Sequence, residues 1–182
     1  MTAPPRTAEQ SPAGDPGAMS LQEFNDADEA VAEALLRPCV DLDRWVREIL
    51  AGRPYPSREA LLAHAGAAAE SPTAEEIEAA LAHHPRIGEQ PRTASAEASH
   101  SRAEQAGLDI GGDVEARLAD GNRAYEQRFG RVFLIRAAGR TSEEILAALD
   151  ERLGNDDDVE LTVIGEQLRE IAVLRLEGRV TS

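Results

Sequence analysis

Three small groups of residues in this chain could handle protons or grip an anion. The first is His84, followed directly by Pro85. Proline disfavours the helical region for the residue before it, so a helix carrying Ile77 and Leu81 must stop at His83-His84. The imidazole of His84 then projects off a helix end, where the dipole favours the protonated ring. Histidine exchanges protons near neutral pH, which suits general acid–base work. Alternatively, His83 and His84 merely decorate a helix terminus. The second group is Ser101, Glu104 and Gln105, spaced so that one helix turns all three toward a common point. Ser101 and Glu104 also fit a capping box, and that use competes with a functional one. The third is Arg175. Leu161, Ile164, Leu168 and Ile171 step by three or four along the last helix and mark an inward stripe, and Arg175 takes its next place. A buried arginine needs a partner, so it meets either an internal carboxylate or a bound anionic ligand.

Other chemistries find no support. The sequence holds no GxxxxGK[ST], GxGxxG or HExxH motif, no cysteine cluster and no GxSxG elbow, so no nucleotide, zinc or serine-hydrolase reading arises. Trp45 and Ile49 share a helical face and read as core. Cys39, His64 and His100 belong to no constellation.

The elements that must position these residues are helices. Ser20-Leu21-Gln22-Glu23 is a capping box opening a helix expected to run to Leu36, before Pro38. Helices follow over Asp43 to Ala51, and from near Ser57 through Leu61 and Leu62. Thr73-Ala74-Glu75-Glu76 caps the helix that ends at His84. A helix through Glu104 ends at Gly107, and a long one covers about Val114 to Phe129, stopped by Gly130. Thr141-Ser142-Glu143-Glu144 caps another to Leu153, and the last spans about Asp157 to Glu177. Only Arg131 to Arg136 is strand-like, and no partner strand is visible for it. The expected fold is all-α: a compact single-domain helical bundle with one short extended segment. Residues 1–18, punctuated by Pro and Gly, read as a disordered tail, 19–178 as the domain, and 179–182 as a short C-terminal tail.

Composition narrows the partners. Against 19 Lys and Arg stand 34 Asp and Glu, a formal net charge of −15. Such a field repels nucleic acid and anionic membranes, and an anionic substrate needs a local cation. The N-terminus has no signal-peptide core, no stretch has the length of a membrane span, and the end is no peroxisomal address. One cysteine fits a reducing cytoplasm.

Leu81-Ala82-His83-His84-Pro85-Arg86-Ile87-Gly88 resembles the HPRxG-type segment of OHCU decarboxylases, which act on a hydroxy-carboxy-ureido-imidazoline formed downstream of uric acid oxidation. Ser101-Arg102-Ala103-Glu104-Gln105-Ala106-Gly107 is similar to the family's S-x-x-E-Q-x-G. Asn122 to Gly130 is similar to its N-x-x-Y-x-x-x-F-G, and Phe133 to Ala137 and Leu174-Arg175-Leu176 follow in order. Ser20-Leu21, Phe24-Asn25 and Arg53-Pro54-Tyr55 also sit where the family has such pieces. The resemblance covers about residues 19–178.

The resemblance implies a cofactor-independent carboxy-lyase, without metal, converting OHCU to (S)-allantoin and carbon dioxide, and acting as a homodimer. It implies His84 as catalytic acid or base. Substrate contacts would be Pro85, Ser101, Glu104, Gln105 and Arg175, with backbone groups of Phe133, Leu134, Ile135, Arg136 and Ala137. Two places depart from the family. Arg131-Val132 stands where an aromatic-proline pair is common, and Arg136 where a small residue is. Arg136 either adds a cation beside the ligand or points outward. The rival readings are a helical binding module without activity and a lyase for a related ureide.

Overall fold

The computed structural model describes residues 17–82, 84–88, 104, 105, 108 and 111–182. Among them, eight helices form a bundle: α1 (Leu21–Asp26), α2 (Glu29–Leu36), α3 (Asp43–Ala51), α4 (Arg58–Ala68), α5 (Ala74–Leu81), α6 (Asp113–Phe129), α7 (Ser142–Arg152) and α8 (Asp157–Arg179). Glu104 and Gln105 are helical as well. The expected all-α architecture is what the chain adopts.

Capping explains where several helices begin. Ser20, Thr73 and Thr141 each accept from the third backbone N–H of their helix, while Glu23, Glu76 and Glu144 reach back to the cap backbone. Each box satisfies two otherwise orphaned N–H groups. At the other end of α6, Gly130 adopts φ 69°, a left-handed cap that a side chain would strain, and its N–H closes on Glu126 O.

One expected helix is two. The chain is extended at Ala27 and Asp28, which separates α1 from α2. Tertiary contacts explain the break. Arg53 Nη1 donates to the Phe24 and Ala27 carbonyls at 2.9 and 2.8 Å, taking acceptors that a continuing helix would need. Asn25 also pairs its side-chain amide with the Tyr55 backbone in both directions.

A two-stranded parallel pairing also forms, β1 (Met19–Ser20) with β2 (Val180–Thr181). Residues 179–182, set apart by sequence as a short tail, thus end α8 and supply β2, and Val180 is fully buried. Most of the expected N-terminal tail lies outside the described residues.

The core has two parts. α1 to α5 and α8 surround one cluster that includes Trp45, Leu61, Ile77, Ile164 and Ile171. Trp45 buries its ring and still donates from Nε1 to Ala65 O at 2.9 Å, which removes the cost of hiding that polar atom. The second cluster joins α6 and α7 through Leu118, Tyr125, Ile145 and Leu149. The run after Gly130 passes between them and, among the described residues, has no strand partner. Val132 and Leu134 pack into the first cluster, and Phe133, Ile135 and Ala137 into the second. That alternation is the period of two of extended backbone.

Candidate active site

Four pieces of chain meet where the two core clusters touch. The end of α5 delivers His84, whose N–H bonds Leu81 O at 3.0 Å, and the following turn carries Pro85 and Ile87. Glu104 and Gln105 come from a separate helical segment, Phe133 to Ala137 from the extended run, and Ile171 and Arg175 from α8. Together they line one narrow cavity, partly open to solvent.

Each wall is tied down locally. His84 Nδ1 lies 2.8 Å from Ala80 O. A carbonyl can only accept, so Nδ1 carries the hydrogen, and in the neutral ring Nε2 is the basic nitrogen. The turn after it is pinned from two sides: Gly88 N–H donates to Gln105 Oε1 at 3.0 Å, and Asn122 Nδ2 donates to Ile87 O at 2.9 Å. Arg86 forks onto Glu126 of α6, with Nη2 2.9 Å from Oε2, and holds the Glu126 carboxyl below the usual carboxylate range.

Arg175 meets Glu104. Nε is 2.7 Å from Oε1 and Nη2 is 3.1 Å from Oε2, a bidentate pair, and Nη1 reaches the Pro38 and Cys39 carbonyls at 3.5 Å. The Arg175 side chain is 2% exposed and that of Glu104 15%. Of the two partners open to a buried arginine on the inward stripe, an internal carboxylate or a bound anion, the structure supplies a carboxylate, Glu104, and the charges of the pair offset each other. Cys39 contributes no nucleophile, because burial pushes its thiol up to about 12.

A family model of OHCU decarboxylase matches residues 25–177. The chain belongs to the OHCU decarboxylase family. A 2-oxo-4-hydroxy-4-carboxy-5-ureidoimidazoline decarboxylase of Amia calva is 33% identical over 163 residues, spanning 87% of this chain and 89% of that protein. One of Haloferax volcanii is 26% identical over 166 residues, spanning 90% and 98%. The fold is similar to a crystal structure of OHCU decarboxylase in the presence of (S)-allantoin, with TM-score 0.64 and 26% identity over 82% of this chain and 96% of that one.

Of the residues singled out by sequence, His84, Pro85, Glu104, Gln105, Phe133, Leu134, Ile135, Ala137 and Arg175 line this one cavity. Ser101 lies outside the described residues. Arg136 goes elsewhere: its Nε bonds Glu170 at 2.8 Å and its Nη1 bonds Ala138 O at 2.9 Å. Arg131, at the other departure, bonds Glu78 of α5 at 3.0 Å. Sequence reasoning passed over Ile87 in the wall, and Asn122 behind it. Asn122 lay in a recognised motif, but only its 4% exposure marks it as structural to the turn.

Proposed function

We propose that this chain decarboxylates OHCU, with His84 as the group that moves protons. The observation that carries the reading is the orientation of the His84 ring by Ala80 O in the wall of a cavity that also holds the Glu104–Arg175 pair.

The substrate bears a carboxylate and a hydroxyl on one ring carbon, next to a ring C=N. Breaking the carbon–carboxylate bond sends its electron pair into that C=N, so the ring is its own electron sink. The ring nitrogen then takes one proton from solvent. The hydroxyl proton leaves, the oxygen becomes a carbonyl, and a proton is added at the ureido-bearing carbon. His84 Nε2 accepts the hydroxyl proton and returns it to one face of that carbon, which yields one allantoin enantiomer, the (S) form. Acid–base help of this kind supplies about 10²–10⁴-fold.

Glu104 and Gln105, with Ser101 from outside the described residues, would hold the hydroxyl, ureido and ring amide groups beside Pro85. Phe133 to Ala137 supply the backbone wall. The compensated charge of Arg175 suits this chemistry. A free cation gripping the departing carboxylate would stabilise the ground state more than the transition state. Paired with Glu104, Arg175 instead suits a ring carbonyl.

Residues 19–178 would form the catalytic domain. We extend the proposal to a homodimer, on the strength of the family resemblance, and to the cytoplasm, which a single cysteine suits. Among the described residues no helix is long and apolar enough to cross a membrane. The test is purified protein with freshly generated OHCU, following carbon dioxide release and optical rotation. Release no faster than the spontaneous reaction, or racemic allantoin, contradicts the proposal.

A further inference from the structure

In extended backbone, the N–H and C=O of one residue lie on the same edge, and those of the next residue on the opposite edge. One edge of the Phe133 to Ala137 run is held by side chains. Leu134 O accepts from Arg152 Nη1 at 2.7 Å, Arg136 N–H donates to Gln167 Oε1 at 3.0 Å, and Arg136 O accepts from Arg140 Nε at 3.1 Å. With residues 134 and 136 committed to that edge, the peptide groups of Ile135 fall on the other. Among the described residues, none bonds the Ile135 backbone, although Ile135 is 7% exposed and lines the cavity.

The main clamp is itself immobilised. Arg152 donates to Glu160 through Nε at 2.9 Å and Nη2 at 2.5 Å, and Asn155 Nδ2 holds the second Glu160 oxygen at 2.8 Å. Tyr125 OH donates to Glu160, and the Arg152 guanidinium lies 4.6 Å from the Phe133 ring centroid. Glu160 is fully buried. A buried ion pair is poor value as a stability device, since well-packed apolar residues often do as well. What apolar residues could not do is hold the Leu134 carbonyl.

We propose that Arg152 and Gln167 are positioning residues for the decarboxylation: they fix which edge of the 133–137 run faces the substrate, and so present the Ile135 N–H and C=O to its ureido or ring amide groups. This rests on the function proposed above. Neither residue touches the reacting atoms, and their effect is on the register and orientation of the wall.

The experiment uses the full chain and OHCU. Arg152→Lys is the direct variant but disturbs a buried network, so Gln167 provides the cleaner pair. Gln167→Met keeps the side-chain length and loses the acceptor. Gln167→Glu keeps an oxygen for the Arg136 N–H. Gln167→Met should raise KM about five- to tenfold, the scale of one lost hydrogen bond, with kcat changed less than KM. Its allantoin should lose enantiomeric excess, and Gln167→Glu should restore both toward wild type. If Gln167→Met lowers the melting temperature but keeps wild-type KM and enantiomeric excess, the role is structural and the proposal is overturned. Equal KM in the Met and Glu variants also overturns it. A wild-type chain that does not turn over OHCU removes the functional reading and this one with it. An active wild type with an unaffected Gln167→Met removes this one alone.

Discussion

Glu104→Gln is the most informative stability perturbation, because its cost follows from the geometry of one ion pair. The change keeps the side-chain volume, removes the negative charge, and turns an amide N–H₂ toward the Arg175 fork. Arg175 cannot relocate into water, its side chain being 2% exposed. Breaking a buried pair by removing one partner typically costs about 3–5 kcal/mol. Glu104 retains some exposure, so the low end applies: about 3 kcal/mol, or roughly 6–12 °C in melting temperature for a chain of this size. Arg175→Met alone leaves Glu104 without its fork and should also cost stability, though less, since a partly exposed carboxylate can rehydrate. The double variant removes both charges and should be more stable than the sum of the two losses predicts. The assay is thermal unfolding of all four proteins by circular dichroism, closed as a double-mutant cycle. Two single variants that lose less than about 1 kcal/mol each and add without coupling would refute the bidentate pair and the argument that Arg175 is compensated.

Two further outcomes test the packing and the electrostatics around the site. A Cβ on Gly121 would run into the Leu149 side chain, whose Cγ lies 3.1 Å from that position where α6 crosses α7. Overpacking costs about 1–3 kcal/mol and the better helix propensity of alanine returns about 1, so Gly121→Ala should lose roughly 1 kcal/mol of stability, read as a lower urea midpoint with unchanged m-value. An unchanged midpoint contradicts the close crossing. Hydrogen bonds from Arg86 hold the Glu126 carboxyl low in the folded state, so its stabilisation is present above the unfolded carboxyl value of about 4.3 and fades as pH falls through the folded one. The stability gap between wild type and Glu126→Gln should therefore be constant near neutrality and narrow below about pH 4; a gap that widens on acidification reverses the sign and rejects the coupling.

The local signals in the sequence were the dependable ones. Ser20, Thr73 and Thr141 announce their helices because a capping box needs only four consecutive residues. Arg175 is found because an inward stripe is periodic, and a charge on it stands out. The extended run is legible from its β-branched composition, and the helices around it leave it without a partner strand among the described residues. What the sequence hides is contact between distant residues. Nothing local says that Arg53 would cut α1 from α2 by taking two carbonyls, or that Glu104 would meet Arg175 from 71 positions away. Gln167 and Arg152 look like ordinary polar residues on helices, because their partners are backbone atoms of the extended run, and backbone leaves no mark in composition. Arg136 shows the limit most sharply: as a cation next to the wall it could face in or out, and only Glu170, one helix away, turns it outward.

The role proposed for His84, with its ring held by Ala80 O, is to move the protons in OHCU decarboxylation. It is tested most directly by single-turnover carbon dioxide release from fresh OHCU, comparing wild type with His84→Asn and His83→Asn at matched helix content. His84→Asn should lose about 10²-fold or more, and His83→Asn should change little. A His84→Asn protein that releases carbon dioxide at the wild-type rate and still forms one allantoin enantiomer would contradict it.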